Sequence, residues 1–100
     1  MIIRYTGIEK LSRPEKIDLE GLAEKYAGRM DRFFPQPDAE LMVHLKLHGE
    51  AGARIKYSIH VKVGIGKLVQ AEAVDWDLIK AARAALEKLQ KELVHKFKKS

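Results

Sequence analysis

Three histidines stand close together in the middle of the chain, at His44, His48 and His60, and imidazole is the commonest side-chain ligand for a transition metal. Their spacing argues against that use. His44 and His48 are four residues apart on one strand, about 13 Å at the ordinary rise, so they cannot grip one ion. His60 reaches His44 in some hairpin registers, but the neighbouring side chains are the cations Lys46, Arg54, Lys56 and Lys62. Neither a carboxylate cluster nor an H-E-x-x-H helix completes a site. No metal is expected. The chain has no cysteine, which removes thiolate ligands, a thiol nucleophile and any disulfide. Ser12 and Ser58 lack the histidine and carboxylate partners that activate a hydroxyl. The segment GIGK, residues 64–67, has the spacing of neither a P-loop nor a dinucleotide fingerprint and reads as a turn. Asp75 and Asp77 fit a helix start better than an acid–base pair. Neither an enzyme nor a cofactor nor a small-molecule substrate is expected.

The other chemistry within reach is electrostatic. The 100 residues carry a net charge of +5, and from Lys80 onward seven basic side chains face only Glu87 and Glu92. The rest of the chain balances, so the surplus belongs to the last segment. At 100° per residue Lys80, Lys88, Lys91, His95 and Lys98 form one ridge opposite the apolar stripe, interrupted by Glu87. On the wet face of the central strands sit His44, Lys46 and His48 in one strand and Arg54, Lys56, His60 and Lys62 in the next, with no acid between them within either strand, although like charges on neighbouring strands cost stability. A localised cationic surface of this kind fits a polyanion. Lysine is a point charge without arginine's fork, so it suits phosphates better than base edges. Stacking platforms are missing, since Tyr26, Phe33, Tyr57 and Phe97 all fall on expected core stripes; Trp76, in the first turn of the last helix, is the exception, with packing under the sheet edge as its other reading. Structured RNA read by its backbone is the expected partner, with single-strand reading by serial stacking disfavoured.

These side chains must be held by a small scaffold. One hundred residues make one domain. MIIRYTG is too short and polar for a signal peptide, and no apolar run approaches membrane-spanning length, so a cytoplasmic protein without membrane contact is expected. Ile2–Thr6 reads as a strand ending at Gly7. The next helix has two candidate starts: Ser12 with Glu15 as a capping box, Pro14 lying in the first turn, or Asp18 with an Ile17–Leu22 staple, the latter preferred. Leu19, Leu22, Tyr26, Met30 and Phe33 form its apolar stripe, and PQP at 35–37 stops it. Leu41, Val43, Leu45 and Leu47, then Ile55, Tyr57, Ile59, Val61 and Val63, alternate as two half-buried strands around a turn at 49–52. LVQAEAV is a further strand, whose Ala71 and Ala73 admit a close helix. Asp75 is expected to cap the last helix, striped by Ile79, Ala82, Leu86, Leu89, Leu93 and Phe97, with Glu87–Lys91 and Glu92–Lys96 as helical pairs. The order β-α-β-β-β-α predicts an α+β two-layer sandwich, a four-stranded sheet with two helices on one face, like a double-stranded-RNA-binding domain.

These residues also carry a likeness. YTG at the end of the first strand, LAEKYAGRMDRFF in the first helix and GKLVQAEAVDWDLIKAARAALEKLQKEL at the end together resemble the ribosome hibernation-promoting factor family, which includes the ribosome-associated inhibitor and sigma-factor modulation proteins. Asp77, Leu78, Ile79, Ala81, Lys88, Leu89, Lys91 and Leu93 occupy the family's pattern in the final helix. The resemblance implies a factor that binds small-subunit rRNA in the channel used by messenger RNA and tRNA, silences idle ribosomes under stress and does no chemistry. It implies rRNA contacts at Lys88 and Lys91, then His95, Lys96 and Lys99, with Lys80 beside them and Lys25, Arg29 and Arg32 on the first helix. The sequence departs from the pattern by an extra residue near Gly28, by Ile79 where an aromatic is usual, and by its three-histidine sheet face. It corresponds to a short form, a monomer or weak dimer, from which ribosome dimerisation is not expected. Two alternatives stand beside this reading: a duplex- or structured-RNA binder acting away from the ribosome, and a protein-interaction module.

Overall fold

Strict alternation of apolar and polar residues gives strands with one face for a core, and three- and four-residue apolar steps give the helices that cover it. The computed structural model describes residues 1–49, 54–65 and 67–98, with the backbone alone at 67, 68 and 98. Its elements are β1 (Ile2–Thr6), α1 (Arg13–Met30), a 3-10 turn (Asp31–Phe33), β2 (Glu40–His48), β3 (Lys56–Ile65), β4 (Lys67–Asp75) and α2 (Leu78–Lys98). The sheet order is β1-β2-β3-β4. β1 runs parallel to β2, joined through α1 as a parallel pair requires, and β2, β3 and β4 form an antiparallel meander. The α+β two-layer architecture expected from the sequence is the one observed.

Leu41, Val43 and Leu45 of β2 and Ile59, Val61 and Val63 of β3 are buried under the helices. Leu19, Ala23, Tyr26, Ala27 and Met30 of α1 face them, as do Leu78, Ala81, Ala82, Ala85, Leu86, Leu89 and Leu93 of α2. The alanines let α2 lie close over β3 and β4, where Ala73 is itself buried. Gly7, which ends β1, has φ of 77°, and a Cβ there would stand 2.0 Å from the carbonyl oxygen of Leu45. Only glycine fits that crossing.

Several local expectations are corrected. α1 begins at Ser12, not Asp18: the Glu15 amide donates to Ser12 Oγ at 3.3 Å and the Ser12 amide donates to Glu15 Oε1 at 2.8 Å. Two reciprocal bonds outweigh the proposed staple, whose Ile17 is 59% exposed. The α-helix ends at Met30 and tightens into the 3-10 turn before the prolines. Asp77 rather than Asp75 caps α2, accepting from the Lys80 amide at 2.9 Å, while Asp75 ends β4 and accepts from the Asp77 amide. Ile55 lies outside β3 and is exposed. Phe97 is not core: it is 44% exposed and packs on Phe33 and Phe34 at ring separations of 5.4 and 5.9 Å. The turn expected at 49–52 lies beyond the described residues except for Gly49.

Candidate nucleic-acid interface

α1 and α2 lie side by side on the sheet, and the partners along them advance together. Ile17, Lys25 and Gly21 sit near Ile79 and Arg83, and Tyr26 and Arg29 sit near Glu87, Lys91 and His95. Phe33 finally meets Phe97. The helices therefore run in the same direction, with a solvent-facing groove between them. Tyr26 ties the groove floor: its ring is buried and its hydroxyl donates to Glu87 Oε1 at 3.2 Å. Burial, then the Glu87 carboxylate, raises the Tyr26 pKa above its ordinary value. The Arg29 guanidinium lies over the same ring at 5.0 Å, a cation–π contact that fixes its charge at the groove wall.

This geometry brings Arg29, Lys91 and His95 together along one stretch of the groove and Lys25 near its other end. α1 is a continuous helix through Gly28, and Arg29 faces α2. Sequence reasoning missed Arg83, which joins Lys25; its place eight residues before Lys91 on the same helix was the available signal. The remaining expected contacts diverge. Lys88 Nζ donates to the Glu72 carbonyl at 3.2 Å and so leans over the β4 edge. Lys96 lines a recess with Phe33, Phe34 and Phe97 at the far end, and Arg32 lies over Phe33 at 4.9 Å. Lys80 is exposed at the start of α2. Lys99 lies outside the described residues, as does the side chain of Lys98. The expected single ridge is thus a groove with two outlying flanks.

The groove's charge is not spent within the fold. The ion pairs among the described residues are Met1 with Asp31 at 3.5 Å and Arg4 with Glu40 at 2.9 Å. Neither expected helical pair, Glu87–Lys91 or Glu92–Lys96, closes among the described residues. Glu87 turns to Tyr26 instead, because a carboxylate beside a half-dry hydroxyl gains more than one beside a solvated lysine. Among the described residues Lys91, His95 and Lys96 face solvent and form no ion pair with a carboxylate.

The open face of the sheet differs from expectation in one respect. His44 and His60 are direct cross-strand partners; Thr6 Oγ1 bonds to His44 Nδ1, and His60 Nε2 donates to Gln70 Oε1 at 2.9 Å. The face is not free of acid: Glu40 pairs with Arg4 at one end of β2, and Glu72 lies across from His60 on β4. Among the described residues no group of three metal-ligating side chains converges. No described helix is long and apolar enough to cross a membrane.

The family described as Sigma 54 modulation protein / S30EA ribosomal protein matches residues 16–100. No curated relative matches in sequence. Among solved structures, the Protein Y N-terminal domain of Thermus thermophilus superposes with a TM-score of 0.64 at 24% identity, covering 93% of this chain and 96% of that one. A ribosomal subunit interface protein from Coxiella burnetii superposes with a TM-score of 0.62 at 22% identity over 100% of both chains. At such identities the likeness is one of fold.

Proposed function

The chain belongs to the Sigma 54 modulation protein / S30EA ribosomal protein family, and from that premise we propose that it is a ribosome-hibernation factor. It binds small-subunit rRNA in the messenger RNA and tRNA channel and silences translation by occlusion, without chemistry. The observation that carries this reading is the groove between α1 and α2, where Arg29, Lys91 and His95 converge from two helices and form no ion pair among the described residues, the neighbouring Glu87 being engaged by Tyr26. Each exposed cation that meets a phosphate releases a condensed counterion, and that release drives association. Lys25 and Arg83 extend the track along the same side, and Lys88 adds a contact where α2 meets β4. A rigid pair of parallel helices presents these charges at fixed spacing, as backbone recognition of a folded RNA requires.

The test is sedimentation of the protein with purified small subunits through a sucrose gradient, with and without messenger RNA. Co-sedimentation that messenger RNA prevents is the expected result. Lys88→Glu with Lys91→Glu releases the protein from the subunit while its thermal melt moves by no more than about 4 °C, since surface charges contribute little to stability. Duplex RNA that competes as well as small subunits would instead make the protein a general duplex binder.

A further inference from the structure

We infer that the open face of the sheet, opposite the helices, is a second RNA site, and that it takes a single-stranded segment with one base stacked on Trp76. This surface lies apart from the helix groove and goes beyond the function proposed above.

Trp76 directly follows β4, whose outward positions alternate through Glu72 and Val74; it stands at the sheet edge, lining a hollow with Tyr57, Glu15, Asp18 and Asp77 on the helix side and meeting Arg54 and Lys56 of the open side through its ring. It is 46% exposed, and Val74 beside it is 47% exposed. A large indole left half in water does not serve the core. Two cations hold it: the Arg54 guanidinium lies 4.6 Å and Lys56 Nζ 5.4 Å from the ring centroid. On the same outward face β3 places Lys62 six residues from Lys56, about 20 Å away, and β2 places Lys46 across from Ser58, between them. Lys46, Lys56 and Lys62 form no ion pair among the described residues. His48 faces Lys56 directly across the hairpin, a juxtaposition of basic groups that folding alone does not favour.

An aromatic platform beside a row of cations, broken by Glu72 across from His60, on an uncovered sheet fits a flexible single strand. The indole accepts the face of an unpaired base, and the lysines track the phosphates on either side. A duplex cannot use the ring, because its bases are already stacked. The cations over Trp76 also couple the two contacts, since a base on the ring brings its phosphate beside Arg54 and Lys56.

Trp76 is the only tryptophan in the chain, so its fluorescence reports this face alone. Oligoadenylate of about ten nucleotides, a length within the usual range for such sites, is titrated into the protein at low salt. Saturable quenching is expected, with log affinity falling against log salt at a slope of about 2 for three phosphates on a single strand. Trp76→Ala weakens binding of a labelled oligonucleotide roughly five- to a hundredfold, and Trp76→Phe restores part of it. Lys56→Glu with Lys62→Glu abolishes the quenching, whereas Lys91→Glu in the helix groove leaves it intact; circular dichroism confirms that each variant is folded. The inference is overturned by absent quenching, by equal quenching with inorganic polyphosphate or polyglutamate, by stronger competition from duplex RNA, or by a Lys91→Glu effect as large as that on the sheet. Because the groove variants are read separately, failure here is distinguishable from failure of ribosome binding.

Discussion

Glu87 is the carboxylate beside Arg29, Lys91 and His95 in the helix groove, as Asp18 is beside Lys25 and Arg83, and replacing Glu87 tests whether that groove meets RNA. Glu87 stands among Arg29, Lys91 and His95, yet its carboxylate is engaged by the Tyr26 hydroxyl at 3.2 Å rather than by any of them. A phosphate seated on Arg29 and Lys91 therefore approaches a negative charge, taken as about 7 Å away for a Coulomb estimate. In water two unit charges at that distance repel by about 0.6 kcal/mol, and the partly dry groove raises the figure while salt lowers it. Glu87→Gln removes the repulsion but keeps an acceptor for Tyr26. We expect two- to fivefold tighter binding to small subunits, roughly 0.5–1 kcal/mol by the same Coulomb reasoning, with the gain shrinking as salt rises. The thermal melt should barely move, because the Tyr26 hydrogen bond survives as a neutral one. Filter binding at two salt concentrations, alongside a melting curve, measures both. Unchanged or weakened binding would refute the reasoning, since it would mean that the groove faces away from RNA or that Glu87 itself contacts the ligand.

Ser12→Ala should cost about 1 kcal/mol, a fall of roughly 4–8 °C in melting temperature for a chain of this size, whereas Asp18→Ala should stay within about 0.5 kcal/mol; differential scanning calorimetry separates the two candidate caps. Gly7→Ala forces a Cβ against the Leu45 carbonyl at a positive φ and should cost roughly 2 kcal/mol or more, read from chemical denaturation. Alkaline pH should destabilise the fold. Burial, reinforced by Glu20 and Glu24, pushes Tyr5 up to about 12, and burial with neighbouring carboxylates also raises Tyr26 and Tyr57. A raised phenol pKa means that the folded chain keeps protons the unfolded chain releases above about pH 10, so stability is full below that pH and falls as pH climbs toward 12. Absorbance titration at the phenolate band, run with melts at each pH, should show the two together.

Much of this architecture was written in periodicity. Alternation from Leu41 to Leu47 and from Ile55 to Val63 placed the buried faces of β2 and β3, although Gly64, Ile65 and Lys67, read as a turn, continue the strands, and the three- and four-residue steps of α2 placed Leu86, Leu89 and Leu93 in the core. Local chemistry with two nearby solutions was harder to read. Ser12 and Asp18 both carry cap chemistry, and only the reciprocal Glu15 bond decides between them. Asp75 and Asp77 are separated by the last step of a strand, which no side-chain pattern marks. Phe97 follows the apolar stripe of α2 but stays half exposed, lining a recess with Ile65 and Val69 and packing on Phe33 and Phe34. The candidate site was legible as a charge surplus and less so as a shape. Wheel geometry groups residues of one helix, whereas the groove depends on which helix lies alongside. Arg29 joins Lys91 because the helices run parallel, and Lys88 departs because a β4 carbonyl lies within its reach. Trp76 acquires its cations through strand register, a property of the pairing and not of any local window.

Because the chain has no cysteine, a single tethered cleavage reagent can be placed at will, and this gives the most direct measurement of the central claim. With Lys25→Cys or Gln90→Cys carrying an iron chelate beside the groove, hydroxyl radicals generated on the small subunit should cut rRNA strands lining the messenger RNA channel, and added messenger RNA should suppress the cuts. Cleavage scattered over the subunit surface, or none from either groove position, would contradict the account.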